Sequence, residues 1–144
     1  MSLHLIKLCV GAANVEDQYD WIANGRANWP PGKTARYAAH ITRQTPKRAV
    51  ELLRGGSLYW VIGGQIRVRQ SLVKLEPTVK AGVAHCALVL DKALVLTRPQ
   101  PCRAFQGWRY LSAKDAPSDI GPYQPGKASG SETLRMELME LGLV

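Results

Sequence analysis

The residues of this chain best suited to chemistry are two glycine–lysine loops, three histidines and three cysteines, and each set misses a geometric requirement. Ala27-Asn28-Trp29-Pro30-Pro31-Gly32-Lys33-Thr34 satisfies the loose written form of a phosphate-binding loop, with Ala for the first Gly. Such a loop cradles phosphate with consecutive backbone N–H groups, and Pro30 and Pro31 have none. It should also join a strand to a helix, whereas here the pattern predicts a helix before it. A second near-match, Gly121 to Ala128, lacks the hydroxyl that would hold magnesium. There is no Cys-x-x-Cys and no His pair at helical spacing, and the neighbours His85 and Cys86 point to opposite faces of a strand. No metal and no cofactor is therefore expected. Cys9 and Cys86 lie in apolar runs and read as buried, inert thiols. Catalysis by paired carboxylates is poorly supported, because acids are scarce in the middle of the chain.

Positive charge and aromatic rings are more informative. The net charge is +8, but residues 26–114 hold sixteen Lys/Arg against three acids (Glu51, Glu76, Asp91), a local balance of +13. A basic middle between mildly acidic ends suggests a polyanion partner; the plainer alternative is a solvated surface that keeps the protein soluble. Gly63-Gly64 sits between two strand-like runs, a strong hairpin signal, because both residues can take positive φ. A two-residue turn there pairs Val61 with Ile66 and Tyr59 with Val68 on one face, and Ile62 with Gln65, Trp60 with Arg67 and Leu58 with Arg69 on the other. An arginine across from a tryptophan can stack on its ring, and such a face suits an unstacked base or a phosphate. The competing reading is that a helix covers the face and the arginine stems pack over Trp60. Arg98 to Tyr110 repeats the theme, with Phe105 and Tyr110 expected in the core and Trp108 left open.

The elements that must position these residues follow from punctuation and periodicity. Leu3–Val10 reads as a strand, and Asn14 caps a helix starting at Val15, with Glu16 and Asp17 in its first turn. Trp29 to Gly32 is a loop and Tyr37–Thr42 a strand. Thr45 and Pro46 open a second helix that Gly55-Gly56 ends, with Ala49, Val50 and Leu53 on its buried side. Ser57–Ile62, Gln65–Leu75, Val83–Leu90 and Leu94–Thr97 are strands, and Ala104–Leu111 is an aromatic segment. Residues 116–130 read as irregular. A capping box at Ser129 to Glu132 starts a C-terminal helix over 131–142, with Leu134, Leu138 and Leu141 on one face.

Length and composition (46% hydrophobic, 21% charged) fit one globular domain over 1–144. No apolar run approaches the ~20 residues that span a bilayer. The N-terminus lacks the pattern of a signal peptide. An odd number of widely spaced cysteines argues for a reducing compartment, so a cytoplasmic protein with no membrane partner is expected.

Several blocks carry a resemblance. Leu3 to Gly11, Thr42-Arg43 with Pro46-Lys47-Arg48, Gly55 to Ile62 with Arg69-Gln70, and Arg103 to Leu111 resemble one family of short bacterial proteins known only as a domain of unknown function. The likeness runs to about Ile120 and implies a recurring bacterial fold, with no assigned activity. A fold-level likeness to the PUA-like superfamily (with its ASCH and EVE relatives) implies a small mixed barrel and RNA or modified-base binding.

The expectation is an α+β domain: a small, curved or barrel-like, mostly antiparallel sheet flanked by about three helices. Its expected function is binding of RNA or another nucleic acid on a basic, aromatic-bearing face. Arg43, Lys47 and Arg48 would contact phosphates, while Trp60, Arg67, Arg69, Trp108 and Arg109 would hold a base or backbone. The alternatives are a small hydrolase or base-modifying enzyme with a pocket beside the 57–70 hairpin, using His40 or His85 as proton carrier, and a protein-interaction subunit or homo-oligomer.

Overall fold

A computed structural model of the chain describes residues 2–32 and 35–125. The Gly63-Gly64 turn, with φ of 61° and 80°, joins the two strands on which the rest is built. In chain order the elements are β1 (Leu3–Leu8), α1 (Val15–Ala23), β2 (Asn28–Trp29), β3 (Tyr37–Thr42), α2 (Ala49–Leu52), β4 (Ser57–Ile62), β5 (Gln65–Lys80), β6 (Val83–Asp91), β7 (Val95–Pro101), β8 (Trp108–Ser112) and β9 (Asp119–Pro122). The described residues thus form an α+β protein dominated by one mixed sheet. Its order is β2-β3-β6-β5-β4-β1-β8, with β7 added on β5 and β9 on β7. Only the β1–β4 pair is parallel. At 16 residues, β5 is long enough to pair β4 and β7 with its first half and β6 with its second. The order has two ends, β2 and β8, so the expected barrel-like closure is not seen among the described residues. Two helices are described; the helix expected over 131–142 lies outside the described residues.

Every residue of β4 is buried, so it contributes to both faces. Leu58, Trp60 and Ile62 join a larger cluster with Leu5, Leu52, Val68, Leu88 and Leu90. Tyr59 and Val61 join a smaller one with Ile6 and Ile66. Ile66 and Val68 are two apart on β5 yet fall in opposite clusters, because a β-bulge intervenes. Val61 pairs with Ile66 and Ile62 with Gln65, as the turn requires. Beyond the bulge, however, Trp60 pairs with Val68, Tyr59 with Arg69 and Leu58 with Gln70. Arg67 is the additional residue. The expected Trp60–Arg67 and Leu58–Arg69 pairings therefore do not form, since one extra residue exchanges the two faces of the partner strand.

α1 begins as its sequence dictates, with the Asn14 side chain accepting from Asp17 N–H at 2.9 Å. α2 does not. It is one turn, preceded by Arg48 with no side-chain cap; Val50 (67% exposed) and Leu53 (39%) face out, while Leu52 is fully buried. Side chains of β8 hold the segment before it. The Trp108 indole N–H donates to Gln44 O at 2.9 Å, and the Tyr110 hydroxyl accepts from Lys47 and Arg48 N–H at 3.0 and 3.2 Å. The backbone ahead of α2 is thus pinned to β8. Thr45, expected as the cap, does not serve as one, because the helix starts four residues later, at Ala49. Residues 119–122, expected to be irregular, form β9 against β7.

Candidate nucleic-acid surface and the pocket beside it

Registers on β4, β1 and β8 put Trp60, Lys7 and Trp108 in a row, Trp60 paired with Lys7 and Lys7 with Trp108. Residues paired across strands share a face, so one sheet face carries two indoles with a half-buried lysine between them. Burial holds the Lys7 ammonium below the usual lysine range.

At one end of this row lies a basic edge. Trp108 and Tyr110 stack edge-to-face at 4.9 Å, the Arg48 guanidinium sits 5.5 Å from the Tyr110 ring, and both rings are tied to residues 44–48. Arg48 also pairs with Glu51. Arg43 and Lys47 are exposed, and among the described residues neither side chain makes an ion pair. Of the sequence-derived candidates, Lys47, Arg48 and Trp108 are thus brought together, with Arg43 beside them in the chain. Others are not. Arg109 turns to the opposite face and lies 4.5 Å from the Phe105 ring. Arg69 donates to Asp119 at 2.8 and 2.7 Å and to the Ser57 hydroxyl at 2.9 Å. Arg67, half-buried at the bulge, stands apart from Trp60 in the register. Trp60 is 6% exposed and faces inward, so its alanine variant would lose about 3–5 kcal/mol of core packing.

At the other end of the row is a pocket of ≈ 110 Å³, walled by α1, β3, β4, β5 and β6. Trp21, Ile22, Leu90 and the Trp60 ring give it an apolar lining, with Cys9, His40, Gln18 and Gln70 as the polar groups. The His40 ring meets Trp60 edge-to-face at 5.4 Å. Burial, and then the charges of Lys7 and Lys80, lower the His40 imidazole to about 4. Burial pushes the Cys9 thiol up to about 11. Near neutral pH both are uncharged. An imidazole with so low a proton affinity makes a weak general base, and a protonated thiol a weak nucleophile, so these groups are suited to hydrogen bonding rather than proton transfer. His85 does not line the pocket; its Nδ1 lies 2.8 Å from Val83 O.

The sequence reading missed Gln18 and Gln70. Gln70 was legible only as a neighbour of Arg69, and Gln18 as one more polar residue on α1; no local pattern marks a buried amide pair 52 residues apart. The described residues contain no group of three or more His, Cys, Asp or Glu placed to hold a metal ion, and no helix long and apolar enough to cross a membrane.

No curated protein and no solved structure matches the chain. A family match covers residues 5–144, nearly the whole sequence. The chain belongs to the family described as "Protein of unknown function (DUF1489)".

Proposed function

We propose that this protein binds nucleic acid, RNA in the first instance, along the edge formed by residues 43–48 and β8. The observation that carries the reading is a pair of exposed cations, Arg43 and Lys47, that have no ion-pair partner among the described residues and lie next to the anchored Trp108–Tyr110 pair. Cations free of acids release counterions from phosphates at little desolvation cost, whereas Arg69, already held by Asp119, contributes less. The half-buried Trp108 supplies a ring edge against which a base can rest. A PUA-like architecture would agree with this use of a small mixed sheet.

Fluorescence anisotropy of labelled single-stranded RNA over a range of salt concentrations tests the proposal. Replacing Arg43 and Lys47 together by serine should lower the magnitude of the salt slope by about 1.4, roughly 0.7 for each lost phosphate contact. Both residues are exposed, so the variant should fold as the parent does. A slope that is unchanged, or no binding by the parent at low salt, would remove this edge from consideration.

A further inference from the structure

We infer that the pocket beside Trp60 is a binding site for one uncharged, flat heteroaromatic ring that carries an N–H donor. The hydrogen bonds of its wall run in one fixed sense. The Trp60 indole N–H can only donate, and it donates to Gln70 Oε1 at 2.9 Å. The Asp91 carbonyl can only accept, and it accepts from Gln70 Nε2 at 2.8 Å. These two partners fix the Gln70 amide, with no freedom to exchange its oxygen and nitrogen. The atom of Gln18 that meets Gln70 Oε1, at 3.3 Å, must then be its nitrogen. Among the described residues Gln18 Oε1 is left as a buried acceptor with no partner, on a residue 96% removed from solvent that lines the pocket.

A buried acceptor without a donor costs about 1–3 kcal/mol, a cost that a ligand's N–H would relieve. The remaining walls define the rest of the ligand. Two indoles and aliphatic side chains favour a flat, apolar-faced body, and ≈ 110 Å³ holds a single ring rather than a fused system. With no acidic side chain among the described residues that line it, the pocket disfavours a cation. The inference does not depend on the nucleic-acid reading, since the ring could arrive free or as one base of a strand.

The test uses the whole chain and two isomeric probes of equal size. 5,6-Dimethyluracil keeps both ring N–H groups; 1,3-dimethyluracil has neither. Binding is followed by the indole N–H resonances of Trp21 and Trp60 among the four tryptophans of the chain. The expected result is saturable shifts of those two resonances with uracil and 5,6-dimethyluracil, and at least tenfold weaker binding of 1,3-dimethyluracil. Gln18→Met, which keeps length and loses the acceptor, should abolish that tenfold preference. The probe comparison needs no variant, so it stands even if Gln18→Met folds poorly. An oligouridylate separates the two sources. If the free rings do not bind, but Gln18→Met weakens the oligonucleotide at an unchanged salt slope, the ring belongs to a strand. Equal binding of the two isomers overturns the inference. So does the absence of any free-ring response together with an oligonucleotide affinity that ignores Gln18. In the latter case a slope that still responds to Arg43 and Lys47 leaves the nucleic-acid surface standing.

Discussion

Arg69 holds Asp119 through two N–H groups, at 2.8 and 2.7 Å, and so ties β5 to the outermost strand, β9. The arginine keeps the Asp119 carboxyl below its ordinary range. Arg69→Ala should cost about 1–2 kcal/mol, less than a fully buried pair would because Asp119 is partly exposed, and should leave the salt slope of RNA binding unchanged. Urea denaturation and the salt titration, run on the same variant, check both parts. A slope that falls with little loss of stability would return Arg69 to the nucleic-acid surface.

Gln70 satisfies three groups at once: the Trp60 N–H, the Gln18 amide and the Asp91 carbonyl. Gln70→Leu matches its bulk but leaves all three without that partner in the interior. A loss of about 2–4 kcal/mol is expected, well above the ~1 kcal/mol of an ordinary hydrogen bond. Chemical denaturation measures it. A loss under 1 kcal/mol would mean that water reaches the wall.

What the sequence made legible was local. The Asn14 cap, the Gly63-Gly64 turn and the bounds of β3 and β4 each depend on a few adjacent residues, and they appear as expected. The bulge at Arg67 has no local marker, so the pairing failed three residues beyond the turn, and with it the arginine–tryptophan face. The segment ahead of α2 is held by side chains more than 60 positions away, which no local pattern marks. The charge asymmetry pointed to a basic surface, but which cations have acid partners depends on tertiary contacts. The buried glutamine pair beside the hairpin has no local marker.

His40 should make stability sensitive to mild acid. Its folded value, about 4, lies below the 6.5 of the unfolded chain, so between these values the unfolded state binds more protons. Stability is then fully present above about pH 6.5 and falls as pH drops, with His40 contributing up to about 2–3 kcal/mol by pH 4. His4, lowered by burial and by Arg69, acts in the same direction, and protonating its Nδ1 would break the bond it accepts from Ser57 N–H. Asp119 enters only below its ordinary value of 3.8. Denaturation of the parent and His40→Gln between pH 4 and 7 should show a shallower fall for the variant. Parallel curves would contradict the buried, neutral imidazole.

Two glycines should respond differently to alanine. At Gly56 a Cβ would lie 2.2 Å from Leu52 O and 2.3 Å from Leu3 O, both backbone atoms that cannot step aside. Gly56→Ala should cost about 3 kcal/mol or more. At Gly63 the space is open, and only the positive φ opposes a side chain, for about 1–2 kcal/mol. Thermal denaturation of the two variants ranks them. A smaller loss at Gly56 would show that α2 and β1 can separate there.

The central claim, that the 43–48 edge and β8 meet nucleic acid, is tested most directly by mapping RNA onto the protein. Amide and indole resonances would be followed as unlabelled single-stranded RNA is added at low salt. The account predicts that the largest shifts fall on residues 43–48 and on the Trp108 indole N–H, with the amides of Arg69 and Asp119 little moved. Shifts confined to other surfaces, or none at saturating RNA, would contradict it.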